Sequence, residues 1–407
     1  MMVQATSDGA RGPHGARSGR GTLVGPEDDT LPTEATFVTI RHLLALLLVL
    51  LGTGAALAQQ QDGAAQDPAA LIRDGDFYMD RGDCALAQFF YEEALSAAPE
   101  DVDALVGVGR ALRCQGQLTG AVDALRRAVD LSGDGAEPLV QLALTYREQY
   151  LSDPNAYATR LGDALDVVTR AERTAPDDAK VLNTKGVILY QNGDLAGART
   201  AFERAAEESD RGGVDLSNRE RSTIRVNLGR VYRDADEMEL ARRTFQRAVV
   251  LDPTNADAHN LLGNAHFRLG DCEDAEYELS QAVTLAPSSL SSVSQLGITL
   301  FECGDAGAAL PVLERALELE GAVFTPPLYT YLARAYLDAG RIDEALRRAQ
   351  QGALLPPESA EAHYWLGQVY QARGGDGDVQ AARDAYARAL ELRPGYGDAS
   401  RALDALP

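Results

Sequence analysis

The sequence is poor in aromatic residues and lysine. Aromatic residues make up only 6% of its 407 residues although 45% are hydrophobic, so alanine and leucine carry most of the apolar content. That mixture is thin for large packed cores and favours helices that each bury one narrow apolar stripe. Lys180 and Lys185 are the only lysines, and the formal net charge is -23. Such an excess of acid disfavours binding to nucleic acid or to anionic lipid surfaces.

Residues that carry chemistry are also scarce. Beyond residue 58 the only histidines are His259, His266 and His363, and none falls in a nucleophile, zinc-hydrolase or phosphate-cradling motif. The four cysteines form no CxxC pair and are not grouped with histidines, which disfavours a metal site. We therefore predict no catalytic residues, no metal and no cofactor, and we expect that the protein is not an enzyme.

An apolar run near the N-terminus is typical of a secretory signal. Residues 43–51 are Leu, Ala and Val, Arg41 precedes them, and Ala56-Leu57-Ala58 supplies the small residues that a signal peptidase needs. We predict a signal peptide at residues 38–58, cleaved after Ala58, and a short linker at residues 59–67. The alternative is an uncleaved anchor, which would be the only membrane contact. Either way, the protein is expected to be exported to the periplasm or the extracellular space.

Residues 1–37 are rich in Gly, Ser, Arg and Asp and show no periodicity. Such a segment cannot bury enough apolar surface to fold, and it is unusually long for the part that precedes a signal. We interpret it as a disordered extension or as the product of a misassigned start, with Val38 as an alternative start.

A repeat of about 34 residues runs through the chain after residue 67. Its clearest copy covers residues 256–275, with Gly263 at the eighth position, Gly270 at the fifteenth and Ala275 at the twentieth, followed by Ala282 and Pro287. Small residues at the eighth, twentieth and twenty-seventh positions allow two helices to cross closely, and Gly and Pro end them. The nine copies begin at residues 68, 102, 136, 179, 222, 256, 290, 325 or 326, and 360. Insertions are predicted at residues 150–158 and 209–218.

This pattern resembles the tetratricopeptide repeat family, and we interpret the chain as an exported bacterial member. The resemblance implies an all-α fold, a right-handed α-solenoid of about nine helix-turn-helix repeats over residues 68–395. A partial capping helix is expected at residues 396–407, because the end of a solenoid needs a polar outer face.

The same resemblance makes the cysteine positions informative. In that architecture the second helix of one repeat runs antiparallel beside the first helix of the next, which would bring Cys84 to Cys114 and Cys272 to Cys303. An oxidising compartment would keep such pairs bridged. We predict both disulfides; the alternative is four free, buried thiols.

In this family the first helices line a concave groove, and the groove positions of the central repeats are the most polar. Asn side chains there can pair with the backbone of an extended peptide, and Arg side chains can hold a carboxylate. We predict peptide contacts at Lys180, Asn183, Asn227, Arg230, Arg233, Asn260, Asn264 and Arg268. The alternative is that Asn at these positions only follows the repeat consensus.

The expected function is an exported scaffold that binds another protein or peptide, in cell-envelope assembly or secretion. The alternative is an accessory protein that binds cell-wall glycan or a small anionic ligand through Arg230, Arg233 and Arg268.

Overall fold

The computed structural model describes residues 67–212, 216–319, 321–322, 325–356 and 358–407. The predictions for the extension, the signal and most of the linker therefore lie outside the described residues. Within the described ranges the chain forms nineteen α-helices and no β-strand. The all-α fold class predicted from the repeat pattern is confirmed.

The helices form nine pairs followed by a single short helix. The first helices of the pairs are α1 (Pro68–Asp80), α3 (Val102–Cys114), α5 (Ala136–Ser152), α7 (Ala179–Gln191), α9 (Asn218–Asp234), α11 (Ala256–Leu269), α13 (Leu290–Glu302), α15 (Pro326–Asp338) and α17 (Ala360–Arg373). The second helices are α2 (Cys84–Ala97), α4 (Leu118–Ser132), α6 (Arg160–Thr174), α8 (Leu195–Arg211), α10 (Met238–Leu251), α12 (Cys272–Leu285), α14 (Ala306–Leu317), α16 (Ile342–Ala353) and α18 (Asp378–Leu392). The single helix α19 (Gly397–Asp404) follows the ninth pair.

Local sequence explains where the helices start and stop. The carboxylate of Asp101 accepts a hydrogen bond from the backbone of Ala104 at 2.9 Å, which satisfies a donor that the first turn of α3 leaves free. The turn inside a repeat needs a left-handed backbone, and Gly116 supplies it with a φ of 74°. In the fifth repeat Asp236 takes this conformation with a φ of 61°, as aspartate does more readily than most residues. A tight turn thus closes most pairs, whereas residues 153–159 form a longer connection between α5 and α6.

Close packing within each pair explains the small residue at the eighth position. A Cβ atom added to Gly186 would lie 2.6 Å from the ring of Phe202, and one added to Gly229 would come closer still to the ring of Phe245. The rings of Phe245 and Phe202 are almost fully buried against those glycines. The eighth position and its bulky partner on the second helix therefore form one packing unit, and the core follows these units along the repeats.

The two insertions lengthen neighbouring helices. The first helix α5 has 17 residues, against 13 in the first helices α3 and α7, and the second helix α8 has 17, against 14 in the second helix α2. Residues 154–158 of the first insertion lie in turns. Helix α9 begins at Asn218, four residues before Ser222, where the register of the fifth repeat begins. The reason is a capping box, in which the side chains of Ser217 and Glu220 each accept a hydrogen bond from the other residue's backbone and extend the helix backwards.

Neighbouring repeats stack through two kinds of contact. Each second helix packs against the first helix of the next repeat, and each first helix also contacts the first helix of that repeat. The second helices of neighbouring repeats are farther apart. The first helices therefore lie side by side on one face, which we call the first-helix surface. No helix among the described residues has both the length and the apolar character needed to cross a bilayer.

Candidate functional site

The predicted contact residues lie on the first-helix surface, on α7, α9 and α11. Seven of the eight line three adjoining depressions, and Arg268 lies outside them. The structure thus brings most of the predicted residues into one continuous region, which we call the central surface. These seven residues and the side chains around them line the three depressions.

The first depression has a volume of about 350 Å³ and combines a polar rim with apolar walls. Lys180 and Asn183 line it, together with Arg110 and Gln141 from earlier repeats. Its apolar lining comes from Val140, Leu144, Leu216 and Ile224. Such a site offers room for a side chain beside groups that can pair with a peptide backbone.

The second and third depressions continue along the surface. Asn227 and Arg230 line the second, of about 430 Å³. Arg230 also lines the third, of about 450 Å³, with Arg233, Asn260 and Asn264. The Asn227 amide donates a hydrogen bond of 3.0 Å to the amide oxygen of Asn183 on the preceding first helix. This bond joins the first depression to the second.

Every charged residue of the predicted set has an intramolecular carboxylate partner. Lys180 Nζ is 2.9 Å from Glu220 Oε1, and Arg230 Nη2 is 2.7 Å from Asp257 Oδ2. Arg233 pairs with Asp234 at 2.8 Å, and Arg268 with Asp236 at 3.4 Å. Because each cation is paired, the central surface has little net charge although the whole chain is strongly acidic.

The ion pair between Lys180 and Glu220 also shifts the pKa values of both groups. The hydrogen bond to Glu220 raises the pKa of Lys180 above its ordinary value, and nearby carboxylates add to the effect. Burial alone would raise the pKa of Glu220, but hydrogen bonds from Lys180 and Ser217 lower it. Both groups therefore stay charged near neutral pH.

Most residues that line the first depression were not among the predicted contacts, and Leu216, Glu220 and Gln141 show why. Leu216 and Glu220 come from the second insertion or directly follow it, and that insertion was treated only as a delay before the fifth repeat. Gln141 comes from the third repeat, outside the central three. The Ser217-to-Glu220 capping box was the available signal for Glu220, because it places that residue on the first turn of α9.

The two predicted cysteine pairs lie at disulfide-bonding distance. Cys84 begins α2 and Cys114 ends α3, with their Cα atoms 6.1 Å apart. Cys272 begins α12 and Cys303 directly follows α13, with Cα atoms 5.9 Å apart. Each pair connects a second helix to the first helix of the next repeat, as the repeat register implied.

Among the residues that the structure describes, no group of three or more His, Cys, Asp and Glu side chains is placed to hold a metal ion. The ring of His259 contacts Glu278 and the carbonyl of Pro253, and it lies inside the packed core.

Stacked helix pairs with small residues at their crossings define a helical repeat solenoid. A sequence profile for the tetratricopeptide repeat matches residues 73–136, 156–213 and 332–403, and a TPR repeat profile matches residues 229–270. These matches together span more than half of the chain. The chain belongs to the tetratricopeptide repeat family, and the matching profiles describe repeats without a catalytic domain.

Similar proteins share parts of the repeat array. The cell division cycle protein 16 homolog of Mus musculus is 29% identical over 139 residues, which are 34% of this chain and 21% of that protein. Tetratricopeptide repeat protein 36 of Xenopus tropicalis is 36% identical over 105 residues, which are 25% of this chain and 48% of that protein. This chain thus matches about a fifth to a half of these relatives.

A solved structure extends the similarity of fold to most of the chain. The crystal structure of the APC/C hetero-tetramer Cut9-Hcn1 matches with a TM-score of 0.50 and 17% sequence identity. The match covers 89% of this chain and 82% of that one. At this level of identity the likeness concerns the fold alone.

Proposed function

We propose that this protein is an exported scaffold that binds an extended segment of another polypeptide on its central surface, in the assembly or secretion of cell-envelope proteins. The observation that carries the proposal is the continuity of the three depressions across α7, α9 and α11. Amide side chains recur along this line, and amides can both donate to and accept from a peptide backbone regardless of its sequence.

The charge pairing favours a polypeptide over a small anion. An anionic ligand at Arg230, Arg233 and Arg268 would have to displace Asp257, Asp234 and Asp236 from their guanidinium groups. A polypeptide can instead use the amides and leave the ion pairs in place. The central surface is also nearly neutral, so an acidic or a basic segment can approach it without strong repulsion.

Export is supported by the signal-like segment at residues 38–58 and by the cysteine pairs. Disulfides persist in oxidising compartments outside the cytosol. Four cysteines that form two pairs at equivalent places of the repeat fit such a compartment better than four unrelated thiols.

The test uses site-specific crosslinking in the native cell followed by measurement with the purified partner. A photo-activated crosslinker at Asn264 should join the protein to a polypeptide that mass spectrometry identifies. Replacement of Asn227, Arg230 and Asn264 by Ala should then raise the dissociation constant for that partner by at least about tenfold. Each lost polar contact contributes roughly 1 kcal/mol or more to binding.

The matched control replaces Arg243, Gln246 and Arg247 by Ala on α10, a second helix on the opposite side of the repeat. This control should bind the partner as the native protein does, and both variants should keep the native helical circular dichroism. Equal affinity for the native protein and both variants would refute binding at the central surface.

A further inference from the structure

The first-helix surface carries a cluster of aromatic rings in the last three repeats. Tyr331 on α15 and Trp365 on α17 occupy the sixth position of their repeats, where the fifth repeat carries Asn227. Phe301 on α13 lies beside Tyr331, with ring centroids 6.0 Å apart and planes at 75°. All three rings are partly exposed.

Arg334 holds these rings in place. Its Cζ atom is 4.7 Å from the ring centroids of Phe301 and Tyr331 and 4.8 Å from that of Trp365. Cation–π contacts with three rings fix their orientation. The guanidinium also pairs with Glu302, with Nη1 at 2.6 Å from Oε1, so its charge is balanced. Phe301, Tyr331, Arg334 and Trp365 thus form a rigid and locally neutral group, which we call the aromatic patch.

The aromatic patch is continuous with the central surface. Gln295 occupies the sixth position on α13, between the polar and the aromatic repeats. It lines the third depression together with Asn260 and Asn264. One extended chain that runs along the first helices would therefore meet amides such as Asn227 and Gln295 first and aromatic rings next.

We propose that the aromatic patch binds a proline-rich segment in the polyproline II conformation. This inference rests on the proposed function, because it specifies the chemistry of part of the same bound polypeptide. A polyproline II helix repeats every three residues and rises about 9.3 Å per turn. Tyr331 and Trp365 occupy the same position on successive first helices. Because packed helices lie about 8–10 Å apart, these two rings recur at nearly the interval of one polyproline II turn.

The chemistry of the patch suits proline. Proline rings pack against aromatic faces, and the fixed backbone of a polyproline II segment loses little entropy on binding. A proline-rich segment carries no charge of its own, which matches the neutral Arg334 to Glu302 pair. A strongly charged segment would find no unpaired partner in this group.

The probe for the test is acetylated and amidated decaproline, with a (Gly-Ser)₅ peptide of equal length as the control ligand. Trp365 is the single tryptophan of the chain, so its fluorescence reports directly on the patch. Decaproline should shift the Trp365 emission to shorter wavelengths in a saturable titration of the full chain, because it excludes water from the indole. The Gly-Ser peptide should cause no saturable shift.

The affinity of variants for fluorescein-labelled decaproline, measured by fluorescence anisotropy, shows which residues contribute to binding. Trp365→Ala and Tyr331→Ala should each weaken binding by about tenfold, whereas Trp365→Phe, which keeps a ring, should weaken it less. The matched control is Tyr277→Ala on α12, which removes an aromatic side chain that is 61% exposed outside the patch. That variant should bind decaproline normally, and circular dichroism should show native helicity throughout.

The outcomes separate this inference from the proposed function. No saturable binding, or native affinity in both the Trp365→Ala and Tyr331→Ala variants, would overturn the inference. A shift of Trp365 emission by chitohexaose but not by decaproline would also overturn it and would assign the patch to glycan. The Asn227, Arg230 and Asn264 variant should retain decaproline binding. If that variant loses its native partner while decaproline never binds, the proposed function stands and the inference fails.

Discussion

His259 on α11 is a polar residue inside the core. Its Nδ1 atom is 2.6 Å from Glu278 Oε2 on α12, and its Nε2 atom is 3.1 Å from the carbonyl oxygen of Pro253. Both neighbours accept hydrogen bonds, so the ring satisfies both only as the doubly protonated imidazolium. The hydrogen bond to Glu278 raises the pKa of His259 above its ordinary value of 6.5 although burial opposes this. A core position therefore holds an ion pair whose charge depends on pH.

This pair should make stability depend on pH in a defined direction. Because the folded pKa of His259 is raised, its contribution is fully present below about 6.5 and is lost as the pH rises through the folded pKa. The difference in melting temperature between the native protein and His259→Gln should thus be largest at pH values below about 6.5 and should shrink as the solution becomes alkaline. Thermal unfolding followed by circular dichroism across this range measures it.

His363 provides an internal contrast. Burial lowers the pKa of His363, with Glu358 opposing the shift, so its favourable contribution should be present above about 6.5 and lost as the pH falls. The melting difference between the native protein and His363→Gln should then change with the opposite slope. Equal slopes for the two histidine variants would show that the Glu278 pair does not control the titration of His259.

Recurrence along the chain explains which elements the sequence could predict. A residue such as Gly229 stands at the same place in successive copies and faces a bulky partner, so one rule locates many helices. The fifth repeat breaks this rule because Ser217 and Glu220 start α9 before its repeat register begins. The contact from Glu220 to Lys180 crosses that insertion, and no periodicity in the sequence could predict it. Contacts within the repeat were therefore predictable, whereas contacts made by the insertions were not.

Between neighbouring repeats, the Cys272 to Cys303 bridge should stabilise the sixth and seventh repeats as a unit. The bridge closes a loop with a sequence separation of 31, for which the chain-entropy model gives about 3.7 kcal/mol. Replacement of both residues by Ser should therefore create an early unfolding transition, because solenoids can unfold by segments. Calorimetry of this variant and of the native protein, each with and without reductant, measures the effect.

Peptide mapping without reduction checks the pairing. Peptides that join Cys84 to Cys114 and Cys272 to Cys303 are expected, and any peptide that joins Cys84 to Cys272 would contradict the repeat register. Reductant should give the native protein the same early unfolding transition as the variant. A variant that melts as the oxidised native protein does would mean that the bridge adds no stability.

Across the whole molecule, charge is distributed unevenly. The predicted cations of the central surface are each paired with a carboxylate, as Arg230 is with Asp257. Acidic residues such as Glu273 and Asp274 instead stand in the first turn of a second helix. The excess acid behind the net charge of -23 thus lies largely away from the central surface. Composition predicted the excess but not its distribution, because the balance depends on contacts between side chains of different repeats.

Export of the whole chain should determine the state of its four cysteines. If residues 38–58 direct export, then Leu47→Arg, which places a charge within the apolar run, should retain the chain in the cytosol. A cytosolic chain meets a reducing pool and should carry four thiols that react with a maleimide, whereas the exported native chain should carry none after denaturation. Mass spectrometry of fractionated native cells counts the additions and also reads the N-terminus, which should be Gln59.

The matched control for the export variant is the conservative Leu47→Ile change, which keeps the apolar run intact. Because the run stays apolar, this control should leave both export and the thiol count unaltered. A native chain that begins at Met1 in the cytosolic fraction, with four reactive thiols, would contradict the export and the disulfide predictions together. A native chain found outside the cytosol with four reactive thiols would contradict the disulfides alone, since the oxidising compartment would then have failed to bridge them.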